Sequence, residues 1–270
     1  MTGCTHLMFQ PTSVRYSDPA GHGIELEDLN IESTDGVTLH GWHLPAQGTL
    51  RGSILFLHGN GANISSHIGG VYWLPAYGYE VFLFDYRGYG GSTGTAELDG
   101  VMRDAQTMIA YARDHLGPGS AGLTVLGHSM GGSIAIHALA QLPDRHEIDA
   151  LVCVDAFADY RRVTRDALSA HWLTWAFQWP LSLTIDNRYR PADYIGALAP
   201  LPVFILHSKD DEIIPPEHAD VLFQAAGQPR YRYELQGTHN QVLGLKQNQT
   251  LLLEILDRVS RTTDGTAAGL

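Results

Sequence analysis

Short apolar runs and amphipathic stretches alternate along the chain, and the first two apolar segments meet at a tight turn. Ile31–Ser33 and Val37–Leu44 flank Asp35-Gly36, and an Asp-Gly pair in this position predicts a β-hairpin. The later runs predict six further strands: Ser53–His58, Glu80–Asp85, Leu123–Gly127, Ala150–Val154, Val203–His207 and Tyr231–Leu235. The first two of these are continuous apolar runs, which are typical of strands buried on both faces of a parallel sheet.

Helical patterns lie between most of the predicted strands. They are Ile64–Tyr77, Glu97–His115, Met130–Leu142, Pro216–Ala226 and Thr250–Arg261. An alternation of strands and helices indicates an α/β fold, with a mostly parallel central sheet flanked by helices. Because the 270 residues contain no repeat and no low-complexity linker, we expect one domain that covers residues 1–270.

The composition narrows the class of protein. Hydrophobic residues make up 44% of the chain and charged residues 17%, which fits a packed globular enzyme and not a disordered chain. The formal net charge of −12, without a Lys/Arg run, argues against a nucleic-acid partner. An acidic surface also disfavours docking on anionic lipid headgroups. No apolar stretch is long enough to span a membrane, so no transmembrane segment is expected.

The two cysteines suggest neither a disulfide framework nor a metal site, because their spacing fits neither. Cys153 lies in an apolar run and is expected to be a small core residue. Gly3-Cys4 resembles the end of a bacterial lipoprotein signal, but the apolar region that should precede it is missing. We therefore expect a cytoplasmic protein, with an exported lipoprotein whose signal was removed before Cys4 as the alternative. The sequence leaves monomer and dimer open.

The segment Gly127-His128-Ser129-Met130-Gly131 fits the pattern G-x-S-x-G. A predicted strand precedes it and a predicted helix follows, which is the strand–turn–helix arrangement of a nucleophile elbow. In such a turn the Ser129 hydroxyl is exposed at the carboxyl end of the sheet, and the helix directs its first N–H groups toward developing negative charge. The alternative is a glycine-rich turn with an incidental serine.

A serine hydroxyl becomes nucleophilic when a base takes its proton and a carboxylate orients that base. His239 follows the last predicted strand and is the candidate base, although one of 14 histidines could lie in this loop by chance. Asp210 and Asp211 follow the strand Val203–His207 and are both candidates for the carboxylate. Asp155, after the strand that ends at Val154, is a third. The residues themselves leave this choice open.

Two backbone N–H groups are needed to stabilise the oxyanion of an acyl-transfer reaction. One candidate is the N–H of Met130, directly after the serine, and the other is the N–H of Asn60, in the loop after His58. A strand-to-helix turn capped by Asn63 explains the same loop structurally. The two interpretations are compatible.

Three motifs together resemble those of small serine hydrolases of the α/β-hydrolase superfamily. They are His58-Gly59-Asn60, Asp85-Tyr86-Arg87-Gly88-Tyr89-Gly90 and Gly127–Gly132, and the resemblance runs from about Asn30 to Arg261. It implies the α/β-hydrolase fold with a short helical cap, residues 157–198, inserted after the sixth strand. It also implies that no cofactor or metal is needed.

The resemblance also selects among the carboxylates. The family's acid motif, H-G-x-x-D followed by a hydrophobic-Pro pair, falls on Asp211, with Ile214-Pro215 behind it. This chain has Ser208 where the family usually has glycine, which leaves Asp210 as an alternative. In this family Arg87 is a structural residue that braces neighbouring loops.

The predicted cap contains three tryptophans at helical spacing, Trp172, Trp175 and Trp179, which would share one helix face. We predict that they and His128 line an apolar pocket for the acyl group of a substrate. Packing of the cap onto the body of the protein explains the same stripe equally well.

The expected activity is hydrolysis of a small-molecule carboxylic ester with a short to medium acyl chain. In this scheme Ser129 attacks, His239 acts as base and then as acid, and Asp211 holds the imidazole. A lipase or thioesterase, a serine peptidase and an acyltransferase are alternatives that use the same residues. A non-enzymatic binding protein is disfavoured because such proteins usually lose the serine or the histidine. Dehalogenase or epoxide-hydrolase chemistry would need aspartate at position 129.

Overall fold

The computed structural model describes residues 8–19, 23–117, 120, 122–145, 147–169 and 174–263. Within these residues eight strands form one sheet in the order β1-β2-β4-β3-β5-β6-β7-β8. The strands are β1 (Glu27–Glu32), β2 (Thr38–Leu44), β3 (Gly52–Leu57), β4 (Tyr79–Phe84), β5 (Leu123–His128), β6 (Ile148–Val154), β7 (Val203–Ser208) and β8 (Arg230–Leu235). β2 is antiparallel to β1 and β4, whereas all pairs from β4 to β8 are parallel.

The burial of the strands agrees with the apolar runs that predicted them. Every residue of β3, β4, β5 and β7 is buried, as expected for strands covered on both faces. The predicted hairpin is also confirmed, since β1 and β2 pair around Gly36 and the N–H of Ser33 donates to the carbonyl of Val37. Because the strands from β3 to β8 are parallel, their carboxyl ends meet along one edge of the sheet.

The helices are α1 (Ile64–His67), α2 (Leu98–Asp114), α3 (Met130–Gln141), α4 (Tyr160–Ser169), α5 (Gln178–Leu183), α6 (Pro191–Tyr194), α7 (Glu217–Ala225) and α8 (Lys246–Thr263). Apolar residues of α2, α3 and α7 form a core on one face of the sheet, and those of α1 and α8 form a core on the other. The predicted α/β-hydrolase fold, with helices on both faces, is confirmed. None of the helices in the described ranges has both the length and the apolar character that crossing a membrane requires.

The predicted helix Ile64–Tyr77 is wrong in extent. α1 ends at His67, and two short 3-10 turns follow it, at Ile68–Gly70 and Leu74–Tyr77. Two adjacent glycines and Pro75 lie within this stretch, and both residue types disfavour a continuous α-helix.

The chain between β6 and β7 contains α4, α5, α6 and two further 3-10 turns, Trp175–Phe177 and Ile195–Leu198. α4 and α5 pack on each other, whereas α6 and the turn after it pack on α3 and α7. The second half of the predicted insertion 157–198 thus lies against the body of the protein.

The prediction that Cys153 is a small core residue is confirmed. Cys153 is fully buried on β6, in the core on the α3 side of the sheet. Cys4 lies outside the described residues.

Candidate active site

Ser129 lies in the turn that joins β5 to α3. Its backbone has φ 56° and ψ −123°, a conformation that non-glycine residues rarely adopt. A hydrogen bond of 2.8 Å from the Ser129 N–H to the carbonyl of Val154 fixes the turn to the neighbouring strand. The glycine at position 131 is required here, because a Cβ at that position would overlap the carbonyl of Leu57. The local sequence thus folds into the sharp turn that its pattern predicts.

His239 lies in the loop after β8 and is almost completely buried. Its Nδ1 is 2.7 Å from Oδ2 of Asp211, and since a carboxylate oxygen accepts, Nδ1–H donates. The backbone of His239 is held at both ends: its N–H donates to Glu212 Oε2, and its carbonyl accepts from Nε2 of His128, each at 3.1 Å. With the proton on Nδ1, the lone pair of the neutral ring is on Nε2.

Asp211 is held in a turn after β7, and its side chain is fully buried. Its Oδ1 accepts hydrogen bonds of 2.8 Å from the N–H groups of Ile213 and Ile214. Burial alone would raise the pKa of Asp211, but the hydrogen bond and charge of His239, together with these two amides, lower it below its usual range. Asp210 is exposed, so the geometry pairs Asp211 and not Asp210 with the histidine.

Ser129 and His239 line the same cavity. Among the described residues no hydrogen bond joins the Ser129 hydroxyl to the His239 ring. Catalytic hydrogen bonds are often long without a substrate and shorten when one binds.

The loop after β3 lies directly against the turn that contains Ser129. A Cβ placed on Gly59 would be 3.3 Å from the Cβ of Ser129. The side chain of Asn60 points elsewhere, since its Oδ1 accepts from Tyr89 Oη at 2.7 Å and from the N–H of Gln10 at 3.0 Å. Asn60 and Met130 both line the cavity, and the N–H of Met130 is in the first turn of α3, where helical N–H groups have no acceptor within the helix.

Asp155, the third carboxylate considered above, is buried at the end of β6 beside this pair. Its Oδ1 accepts from the N–H of Ser208 at 2.7 Å, and its Oδ2 is 3.9 Å from Nδ1 of His239. Burial raises the pKa of Asp155 to about 7; the Ser208 amide opposes this effect and the charge of Asp211 adds to it. In the described part of the chain, Oδ2 has no hydrogen-bond partner.

Ser208, the departure from the family pattern, has a structural role in this protein. Its hydroxyl donates to the carbonyl of Gly237, in the loop that carries His239, and accepts from the N–H of Asp210. The serine therefore joins the turn of the acid to the loop of the histidine, and Asp211 keeps its place beside the histidine.

The cavity over Ser129 has a volume of about 570 Å³ and a mostly apolar lining. The predicted cap, residues 157–198, contributes seven apolar or aromatic side chains: Phe157, Tyr160, Val163, Ala167, Leu168, Leu181 and Ile185. His128 also lines this cavity, and its contact with a substrate stays a prediction.

The predicted tryptophan wall is not part of the cavity. Trp175 and Trp179 are 62% and 61% exposed and do not line it, so the prediction is wrong for these two residues. The reason is that Trp175 lies in a 3-10 turn and Trp179 in α5, so the continuous helix that the spacing implied does not exist. Trp172 lies outside the described residues.

Sequence reasoning missed the N-terminal segment, whose Met8, Phe9 and Gln10 line one side of the cavity. The amide of Asn60 holds this segment, because its Nδ2 donates to the carbonyl of Met8. Asn63 adds two hydrogen bonds of 2.8 Å, to the carbonyls of Thr12 and Val14. These contacts join residues about fifty positions apart, and no local pattern in the segment indicates them.

Two groups of buried side chains each bring three potential metal ligands close together. The first group is His128, Asp155 and His239, and the second is Asp155, His207 and Asp211. Most of their polar atoms already take part in hydrogen bonds. His128 Nε2 and His207 Nε2 donate to backbone carbonyls, and His239 Nδ1 donates to Asp211. Hydrogen bonds within the protein thus fix most of both groups, whereas Asp155 Oδ2 and His207 Nδ1 have no hydrogen-bond partner among the described residues.

Comparisons with known proteins show the family and the fold of this chain. The profile of the alpha/beta hydrolase fold family matches residues 52–172. The chain is 30% identical over 208 residues to the uncharacterized protein YfhR of Escherichia coli O157:H7, which covers 76% of this chain and 69% of that protein. It is 28% identical over 233 residues to the protein bem46 of Schizosaccharomyces pombe, with 82% and 73% covered.

Among solved structures, the esterase Pf2001 of Pyrococcus furiosus superposes with a TM-score of 0.72 at 20% identity. The match covers 94% of this chain and 96% of that one. At this identity the likeness shows the shared fold.

Proposed function

Because the chain belongs to the α/β-hydrolase family, we propose that it is a serine hydrolase that cleaves carboxylic esters through an acyl-serine intermediate. The observation that supports this proposal most strongly is the 2.7 Å hydrogen bond between Asp211 and His239, because His239 lines the same cavity as Ser129. Ser129, Asp211 and His239 also follow one another in the order along the chain that this fold uses.

In the proposed reaction the Ser129 Oγ attacks the ester carbonyl carbon, and its proton passes to Nε2 of His239. The carboxylate of Asp211 stabilises the imidazolium that forms. The N–H groups of Met130 and Asn60 stabilise the negative oxygen of the tetrahedral intermediate.

Collapse of this intermediate breaks the bond to the alcohol, which leaves with the proton from His239. The acyl group stays on Ser129. A water molecule then gives its proton to His239 and attacks the acyl carbon, and collapse of the second tetrahedral intermediate releases the acid and returns the proton to Ser129.

The cavity favours an apolar acyl group. Its volume is within the usual range for sites that hold small molecules, and its cap side is formed by aliphatic and aromatic side chains. We therefore propose short to medium acyl chains, with thioesters, peptides and transfer to another acceptor as activities that the same residues would support.

A fluorophosphonate probe tests the nucleophile directly. We expect it to label the wild type and not Ser129→Ala, and we expect that variant to lose ester turnover by about 10⁶-fold. Ser169→Ala is the matched control, because Ser169 is exposed on α4, and it should be labelled like the wild type.

Equal labelling of Ser129→Ala, or no labelling of the wild type, would contradict the assignment. A series of aryl esters of increasing acyl length then tests the substrate class. Labelling without turnover at any chain length would favour the peptidase or transferase activities.

A further inference from the structure

Five large apolar side chains on one short segment of the cap are exposed: Trp175, Phe177, Trp179, Leu181 and Leu183. We call this set the cap face. Soluble proteins rarely expose apolar groups so densely, and a dense apolar patch usually marks a surface that binds a protein or a lipid.

The cap face is continuous with the cavity over Ser129. Leu181 belongs to both, since it is exposed on the outside of the cap and also lines the cavity. Ile213, which follows the turn of Asp211, is likewise exposed and also lines the cavity. An apolar path therefore runs from the outer surface of the cap to the nucleophile.

The charge around the cap face differs from that of the rest of the protein. The segment 157–198 has five arginines and four aspartates, a net charge of +1, whereas the whole chain has −12. The guanidinium carbon of Arg165 lies 4.6 Å from the centre of the Trp179 ring. Arg165 has no carboxylate partner in the described part of the chain.

An arginine held against a tryptophan ring complements a lipid headgroup. The guanidinium binds phosphate oxygens, and the ring favours the boundary between the headgroups and the acyl chains. The acidic surface that disfavours lipid binding on the basis of net charge lies outside this segment.

We propose that the cap face docks on a phospholipid surface, with Trp175, Phe177 and Trp179 among the upper acyl chains and Arg165 at the level of the phosphates. The esters that reach Ser129 are then amphiphilic esters whose short to medium acyl chain fits the cavity, and they enter from the bilayer along Leu181 and Ile213. This substrate class rests on the proposed function, whereas the docking itself does not.

A second copy of the chain is the other occupant to consider for this face. A copy seated on the cap face would cover Leu181, and with it one side of the cavity entrance. A lipid surface would also cover the cavity entrance, but it contains ester substrates and can supply them through that entrance. The position of Leu181 on both surfaces thus favours lipid.

Co-sedimentation with phosphatidylcholine vesicles tests the docking. The variant Trp175→Ser/Phe177→Ser/Trp179→Ser should bind the vesicles roughly a hundredfold more weakly than the wild type. The matched control is Tyr72→Ser/Tyr77→Ser, which removes exposed aromatic side chains outside the cap and should bind like the wild type. Because none of the three cap residues lines the cavity, turnover of a soluble aryl ester should be unchanged in the triple variant.

A second measurement does not depend on how well the triple variant folds. Phosphatidylcholine brominated in its acyl chains should quench the tryptophan fluorescence of the wild type, and Trp175→Ser should reduce that quenching. Absence of quenching, or equal vesicle binding by the triple variant and the wild type, would overturn the proposal.

A dimer in vesicle-free buffer that the triple variant dissociates would also overturn it, in favour of a second copy. Failure of the proposed function has a different signature, because the fluorophosphonate probe and the soluble aryl ester report on Ser129 without any vesicle.

Discussion

The body of this protein buries the side chains of its candidate active site, whereas the cap exposes its large aromatic side chains. At the carboxyl edge of the sheet, Ser129, His239 and Asp211 are buried and held by backbone hydrogen bonds from neighbouring strands and loops. On the cap, Trp175 and Trp179 are exposed, and short helical elements support them. Groups that must keep a fixed geometry are thus built into the rigid sheet.

This difference separates two properties of a hydrolase. The reaction depends on distances between a few atoms, and the sheet fixes those. The choice of substrate depends on which surface the cap presents to its surroundings, and the cap presents apolar side chains. Substitutions in the two regions should therefore have effects of different kind and size.

After the loss of Ser129 itself, the largest effect is expected at the carboxylate that holds His239. Asp211→Asn keeps an oxygen for the N–H groups of Ile213 and Ile214 but loses the charge that stabilises the imidazolium, so ester turnover should fall about 10⁴-fold. Asp210→Asn is the matched control, since Asp210 is exposed and should be replaceable without loss. Steady-state kinetics on one aryl ester compares the two variants. Loss of turnover in Asp210→Asn but not in Asp211→Asn would make Asp210 the acid.

Most of the body follows from the sequence, and the reason is physical. Buried parallel strands read as apolar runs, and the turn at Ser129 needs glycine at position 131 because the backbone of β3 passes close by. Both signals are local, so the sheet, the sharp turn at Ser129 and the position of His239 after the last strand could all be predicted.

The cap and the N-terminal wall could not be predicted in the same way. The spacing of Trp175 and Trp179 suits one helix face, but the chain breaks into short elements and exposes both rings. The segment that contains Phe9 is held by Asn60, far away in the sequence, and nothing near Phe9 indicates that contact. Non-local contacts of this kind have no periodic signature.

The second largest effect concerns stability, at an arginine in the body. Arg87 binds the fully buried carboxylate of Asp104 at 2.8 Å and that of Asp35 at 2.9 Å, so it joins α2 to the β1–β2 hairpin. Arg87→Ala leaves the Asp104 charge buried without its cation, and the free energy of unfolding should fall by about 3–5 kcal/mol.

The matched arginine of the cap is Arg165, which has no carboxylate partner among the described residues. Arg165→Ala should therefore change the free energy of unfolding by less than about 1 kcal/mol. Urea unfolding of both variants measures the contrast. Equal losses would mean that the cap is as tightly coupled to the fold as the body.

Asp155 should make the stability of the body depend on pH. Its pKa is about 7 in the folded protein and near 3.8 when unfolded, so the folded state holds the extra proton between these values. The protonated carboxyl group therefore stabilises the folded state below pH 4, and this stabilisation is lost as the pH rises through 7. The free energy of unfolding should fall by at most about 4 kcal/mol over this range.

Asp155→Asn removes this titration while keeping an acceptor for the Ser208 N–H. The melting temperature of the variant should therefore exceed that of the wild type by a margin that grows from pH 4 to pH 8. A margin that stays constant over this range would show that Asp155 is ionised throughout in the folded protein.

The smallest effect is expected at the cap face, and a pair of tryptophans makes it measurable. Trp42 on β2 is 3% exposed and donates from Nε1 to Asp28 at 2.9 Å, so Trp42→Ala should lower the free energy of unfolding by about 3–5 kcal/mol. Trp175→Ala removes an exposed ring and should change it by less than about 0.5 kcal/mol. Chemical unfolding followed by circular dichroism compares the two substitutions directly. A large loss of stability in Trp175→Ala would mean that this ring supports the fold of the cap. An unchanged free energy of unfolding would mean that the fold does not need the Trp175 ring, and binding would then account for its exposure.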